Sequence, residues 1–222
     1  MSEVEQANQK LREEFNDWAA RGKGASMARH HRAITERMLE RMGVATGDRV
    51  LDLGCGSGWA TRLVAGRVGP RGLAVGIDVS DAMIREAMEN PELLRNTRYL
   101  CSPADHIPWS NDFFTHIFSV ESFYYYPDSR AVLDELKRIL EPGGRLFLLM
   151  CLYTGNPNAQ KWKEQLAVPV HLRSAAEWRD LLTEAGWAEA SFEEFRPDPA
   201  DPDPDEHAFA CLVCARKRSL SA

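Results

Sequence analysis

The sequence predicts one α/β domain built on a doubly wound, mostly parallel sheet of seven strands, preceded by two helices. Three observations point there. From Arg49 onward, short apolar runs alternate with longer segments of helical periodicity, the pattern of βαβ units whose crossovers cover both faces of a parallel sheet. The first of those runs ends in a glycine-rich turn that opens a helix, as strand-to-helix turns in such sheets do. The 222 residues suit a single compact domain, and 44% hydrophobic with 27% charged residues is ordinary globular composition.

The elements follow in order. Val4, Ala7, Leu11, Phe15 and Trp18 recur at helical spacing among charges, which predicts an amphipathic helix over 3–20. Gly22 and Gly24 break it, so Arg21–Ala25 is expected as a flexible connection. A second helix then carries the stripe Met27, His31, Ile34, Met38 and Met42. Five parallel strands are read in RVLDLG, LAVGID, TRYLC, FFTHIFSV and RLFLLMCLY, with helices after Ser57, after Ser80 and around Ser129–Leu140. The turn Pro142-Gly143-Gly144 is expected to separate the last of these helices from the fifth strand. Ser174 with Glu177 three residues later is a capping box announcing another helix, which ends at Gly186. Trp187–Phe195 and Ala208–Arg216 read as the last two strands. Between them RPDPADPDPDEH is too rich in proline and carboxylate to fold by itself and is expected as an exposed acidic loop. The domain boundaries implied are 1–46 for a helical appendage or lid and 47–222 for the sheet domain.

Composition excludes some classes. No apolar run reaches the eighteen or so residues of a membrane span, and the first fifteen residues lack the apolar core of a secretory signal, so a cytoplasmic location is the default. A formal charge of −6 speaks against a nucleic-acid backbone as partner. The five cysteines are odd in number and mostly embedded in apolar runs, as reduced packed thiols are.

The chemistry concentrates in Val50-Leu51-Asp52-Leu53-Gly54-Cys55-Gly56-Ser57-Gly58. A strand delivers a carboxylate, then three alternate glycines let the backbone turn tightly and approach a ligand. A dinucleotide fingerprint would require glycine where Trp59 stands, and Asp52 would repel a pyrophosphate at the helix N-terminus. S-adenosylmethionine carries a sulfonium and an ammonium and no phosphate, so a strand-end carboxylate favours it. The second strand ends in Asp78, twenty residues beyond Gly58, where an acid can accept hydrogen bonds from both ribose hydroxyls; capping the helix after Ser80 is the structural alternative.

With these residues the chain resembles the class I S-adenosylmethionine-dependent methyltransferases, in particular the small-molecule branch with a type 11-like domain. LDLGCGSG looks like the family's first motif and GIDVSDAM like its second-strand motif. ADHIPW matches the adenine-side segment, and LKRILEPGGRLFLL the helix, turn and strand before the active-site rim; the likeness spans about 45–152. It implies a Rossmann-like methyltransferase fold with S-adenosylmethionine as cofactor. It implies that Asp52, Gly54, Gly56 and Gly58 line the methionine portion. Asp78 would hold the ribose, Val79 and Met83 would flank the adenine, Ala104 and Asp105 would reach its edge, and Ser119 would contact the methionine end. Pro103 departs from the Asp or Asn often found there and supplies no N–H and no polar side chain.

Three features carry two readings each. Tyr124–Tyr126 follow the fourth strand, where acceptors meet the methyl group in this fold, and either cage a substrate or pack a loop. Glu121 is a candidate base or a local hydrogen-bond acceptor. His31 either reaches the site from a helical lid or is a satisfied core histidine. Cys211-x-x-Cys214 lies in a strand, where residues three apart face opposite ways, so packing is expected and no metal site. His31, Glu121 and Tyr124 are therefore the expected substrate-side residues, and no catalytic residue is assigned. The expected function is methyl transfer to a small molecule by in-line displacement. The alternatives are a non-catalytic binder of S-adenosylmethionine or S-adenosylhomocysteine, and an enzyme acting on protein or RNA.

Overall fold

The computed structural model describes residues 2–197 and 206–219. Two helices lead: α1 (Glu3–Ala20), opened by a capping box in which Ser2 and Glu5 satisfy each other's backbone N–H groups, and α2 (Lys23–Met42). The strands are β1 (Arg49–Leu53), β2 (Leu73–Asp78), β3 (Thr97–Cys101), β4 (Phe114–Val120), β5 (Leu140–Met150), β6 (Ala188–Phe195) and β7 (Ala210–Arg216). Helices α3 (Trp59–Val68), α4 (Asp81–Glu89), α5 (Ser129–Ile139), α6 (Ala159–Gln165) and α7 (Ala175–Glu184) connect them.

The sheet runs β3-β2-β1-β4-β5-β7-β6. The first five strands pair in parallel, and β7 is antiparallel to both of its neighbours. The chain moves outward from β1 to β3 and then returns to place β4 on the other side of β1. Strand order therefore reverses between β1 and β4, and a crevice opens at their carboxyl ends.

Period-two alternation along the strands divides the interior into two layers. Val50, Phe147 and Leu149 pack with Ile34, Met38 and Met42 of α2 and Val64 and Val68 of α3. Leu51, Leu53, Leu146 and Leu148 face the opposite way, onto Val132, Leu133 and Leu136 of α5 and Trp178 and Leu182 of α7. The doubly wound expectation holds.

Three boundaries differ from the sequence reading. Residues 21–25 are not a flexible connection, because α2 starts at Lys23 and Gly24 lies inside it; a Cβ there would stand 2.8 Å from Ser57 Oγ, so glycine lets α2 close onto the glycine loop. Pro142-Gly143-Gly144 does not precede β5 but lies within it, as an irregularity between the pairs Phe114–Leu140 and His116–Arg145. Helix α6 had no periodic signal long enough to find. Most of the acidic segment, 198–205, lies outside the described residues.

Candidate functional site

The carboxyl ends of β1, β2 and β4 open into a cleft that encloses about 840 Å³, solvent at its mouth included. The glycine loop forms one wall. After Leu53 the backbone N–H groups of Gly54 and Cys55 both donate to the Ile77 carbonyl (2.8 and 2.9 Å), stitching the loop to β2. Gly54 and Gly58 hold φ of +73° and +74°, and a Cβ on either would collide, with Ser122 Oγ at 2.2 Å and Tyr99 Oη at 2.5 Å.

Asp78 lies on this wall and also builds it. One carboxylate oxygen accepts from Gly56 N (2.9 Å) and the other from Ser80 N (2.8 Å), while Ser80 Oγ caps α4 by accepting from Met83 N. Burial raises its pKa, and those two N–H donors oppose the shift. Asp52 is buried behind the loop and receives a hydrogen bond from Thr61 Oγ1 (2.6 Å). Desolvation lifts its pKa to about 7, with Thr61 pulling the other way.

The facing wall comes from the turn after β4. Glu121 adopts φ +55°, a left-handed conformation that side chains other than glycine seldom take. Its carboxylate accepts from Cys151 N and from Tyr124 Oη (3.0 Å), and burial raises its pKa to about 7. Ser122 Oγ donates to Leu53 O (2.8 Å) and lies 2.6 Å from Ser119 Oγ, tying this turn to the end of β1. Leu11, Phe15 and Trp18 of α1 and Met27 of α2 roof the space.

Gly54, Gly56, Asp78, Val79, Met83, Ala104 and Glu121 thus line one cavity. Asp52, Gly58, Asp105, Ser119, His31 and Tyr124 are not on its wall. Asp52 and Ser119 brace the loop from beneath, and Gly58 begins α3 against Tyr99. Asp105 is half-exposed beside Ala104. Tyr124 turns its hydroxyl onto Glu121, while Tyr125 and Tyr126 reach the cavity instead. His31 is buried deeper, its Nε2 3.8 Å from Glu121 Oε2. The α1 stripe was legible as an apolar face, but not as the roof of a site.

The charge on this cavity discriminates between ligands. Its lining includes the carboxylates Asp78 and Glu121 and no lysine, arginine or histidine among the described residues, with Asp52 just behind. Such a surface suits a cationic ligand and lacks the cations that a diphosphate needs. The two glycines, the strand-end carboxylate Asp78 and this sign of charge fit S-adenosylmethionine.

Comparisons with known proteins agree. Residues 50–144 match the model of a methyltransferase domain. Over 138 residues the chain is 30% identical to the demethylmenaquinone methyltransferase of Staphylococcus aureus strain JH9, covering 62% of this chain and 56% of that protein. The chain thus spans little more than half the length of the curated relatives it matches. A chain of the complex between the Haloferax volcanii Trm112 methyltransferase activator and its methyltransferase superposes with a TM-score of 0.82 at 29% identity, covering 96% of this chain and 99% of that one. A SAM-dependent methyltransferase from Aquifex aeolicus shares the fold at a TM-score of 0.62 and 24% identity, over 82% and 88% of the two chains. The matched segment contains the strands, glycine loop and strand-end carboxylates that build the cavity, so over residues 50–144 the chain carries a domain similar to that of known methyltransferases.

Proposed function

We propose that the protein transfers a methyl group from S-adenosylmethionine to a small, largely apolar acceptor. The observation that carries this reading is the cavity itself: carboxylates on two facing walls, the aromatic rings of Phe15, Trp18, Tyr125 and Tyr126 around it, and no basic side chain among the described lining residues. Relatives named for demethylmenaquinone methylation support an acceptor of that size and polarity.

The bound cofactor supplies an electrophilic methyl group on a sulfonium. The remaining work falls to the chain. Gly54 and Gly56 let the backbone approach the ligand, Asp78 accepts from the ribose hydroxyls, and Asp52 adds negative potential under the ammonium end. Val79, Met83 and Ala104 enclose the adenine. Tyr125 and Tyr126 hold the acceptor, and Glu121 accepts a hydrogen bond from it. Helices α1 and α2 form a lid (residues 1–46) that keeps water out. In-line positioning of this kind lowers barriers by roughly 7–11 kcal/mol in favourable cases. Incubation with methyl-labelled cofactor and a panel of reduced quinones and metabolite extracts should place label in an organic-soluble small molecule. Label confined to protein or RNA would refute the acceptor class, and absence of turnover would leave a binding module.

A second, independent reading concerns a protein partner. Strand β3 is an edge of the sheet, and three of the exposed large apolar side chains among the described residues, Met88, Leu93 and Leu94, lie in the segment leading to it. We infer that this edge docks a small activator of the kind that accompanies the Haloferax volcanii neighbour. Leu94→Asp should abolish co-purification with a co-expressed Trm112 protein; co-purification unaffected by that change, or none with the unaltered chain, refutes the assignment.

A further inference from the structure

We propose that His31, Cys151 and His207 form a site for one divalent cation of the zinc class, set directly behind the cavity wall. The three residues come from α2, from the residue after β5 and from a short 3₁₀ turn (Glu206–Ala208) before β7. Each offers a ligand atom, and all three atoms lie within 4.8 Å of one another. Tetrahedral zinc with bonds of about 2.0–2.3 Å spaces its ligands by roughly 3.3–3.7 Å, so small side-chain rotations bring the three atoms into place and leave the fourth position to a water. His31 and Cys151 are fully buried and His207 half-buried, so little water competes.

The surroundings support ligation. His31 Nδ1 lies 3.0 Å from the Met27 carbonyl of its own helix. With the proton on Nδ1, donating to that carbonyl, Nε2 presents its lone pair inward, the usual outer-shell arrangement of metal-bound histidine. The His207 ring is stacked on His30 (4.9 Å, 9°) and Trp162 (5.0 Å, 17°) and meets His31 edge-on at 4.6 Å, which fixes its plane. Glu121 Oε2, 3.8 Å from His31 Nε2, adds negative charge beside the site. Two imidazoles and a thiolate form a borderline-soft set that selects zinc or cobalt over magnesium or calcium. Binding takes the thiol proton from Cys151 and releases it to solvent, with no change of oxidation state. The metal then ties α2, part of the lid, to the ends of β5 and β7.

The Cys211-x-x-Cys214 pair is a poorer candidate. Cys211 belongs to one core layer and Cys214 packs against the other, on opposite faces of β7.

The full-length chain, stripped with chelator and exchanged into clean buffer, is titrated with cobalt(II) and then zinc. One equivalent of cobalt should give tetrahedral d–d absorption with a thiolate-to-cobalt charge-transfer band, displaced by zinc. Cys151→Ser should remove the charge-transfer band, His207→Ala should weaken binding at least tenfold, and Cys214→Ser should change neither. Circular dichroism confirms folding, and His207→Ala, at a surface turn, carries the test if Cys151→Ser does not fold. Absence of a thiolate band in the unaltered chain, unchanged affinity in His207→Ala, or loss of the band in Cys214→Ser overturns the proposal.

Discussion

Asp52 shows how one buried carboxylate couples ligand charge to stability. In the ligand-free protein burial raises its pKa from 3.8 to about 7. A folded pKa above the unfolded one means that the folded state binds more protons between these values. The stabilisation is therefore full in acid and is lost as pH rises through about 7. Asp52→Asn removes the charge and keeps an acceptor for Thr61, so the ligand-free variant should melt above the parent at pH 8 and by a smaller margin at pH 5, since the difference vanishes only below the unfolded pKa. The same variant should bind S-adenosylmethionine more weakly at pH 8, because the ionised carboxylate favours the cation. Scanning calorimetry at the two pH values and titration calorimetry check both outcomes, and parent-like melting at pH 8 would contradict the burial argument.

The glycines make a graded test at the same scale. Gly54 and Gly56 both have positive φ, so an alanine at either is strained by about 1–2 kcal/mol. At Gly56 the nearest neighbour of an added Cβ is Met83 Sδ at 4.0 Å, whereas at Gly54 it is Ser122 Oγ at 2.2 Å, anchored to Leu53 O. Gly54→Ala should therefore lose a further 1–3 kcal/mol or so from overpacking. Urea denaturation of the two variants should rank Gly54→Ala as the less stable; equal losses would show that the turn after β4 yields.

Among the elements, α1 is fastened over the site by hydrogen bonds to the β2–α4 connection. Arg12 Nε donates to Val79 O (3.0 Å), and Asn16 donates to Asp81 Oδ1 while accepting from Ser80 Oγ (2.6 Å). The Asn16 bond is the main cause of the lowered Asp81 pKa. Asn16 thus clips α1 to the N-terminus of α4, next to Val79 and Met83. Asn16→Ala should weaken S-adenosylhomocysteine binding several-fold, about 1 kcal/mol, and speed proteolysis within α1. Unchanged affinity with faster proteolysis would make α1 a cover without influence on the ligand.

At the scale of the whole molecule, legibility followed distance along the chain. The glycine loop and Asp78 were readable because residues that follow the carboxyl ends of parallel strands gather at one end of the sheet, while Val79 and Met83 came from the family resemblance. The roof was not, since the spacing of Leu11, Phe15 and Trp18 shows that a face is buried and says nothing of what it covers. Tyr124 and Tyr125 could not be separated, because a 3₁₀ turn follows neither period two nor period 3.6. His31, Cys151 and His207 lie more than fifty residues apart in sequence and meet only because α2 packs across the ends of β5 and β7.

The same global arrangement bears on which nucleotide-like ligand suits the cavity. A dinucleotide and S-adenosylmethionine both carry adenosine, and Asp78 can accept from the ribose of either. They differ at the glycine loop, where one presents a diphosphate and the other an ammonium and a sulfonium. That end of the cavity meets Asp52 beneath the loop and Glu121 opposite, with no basic side chain among the described lining residues to pair with a phosphate. The overall charge of −6 adds to the repulsion. A ligand that binds the native state alone raises the melting temperature according to its concentration over Kd, with about 2.7 kcal/mol expected at a hundredfold excess. S-adenosylmethionine and S-adenosylhomocysteine should therefore raise the melting temperature, and NAD at the same concentration should not. On the proposed ribose role of Asp78, Asp78→Ala should abolish the rise without creating a response to NAD. A rise with NAD equal to that with S-adenosylhomocysteine would mean that the adenosine half dominates recognition and that the carboxylates around the loop do not select the ligand.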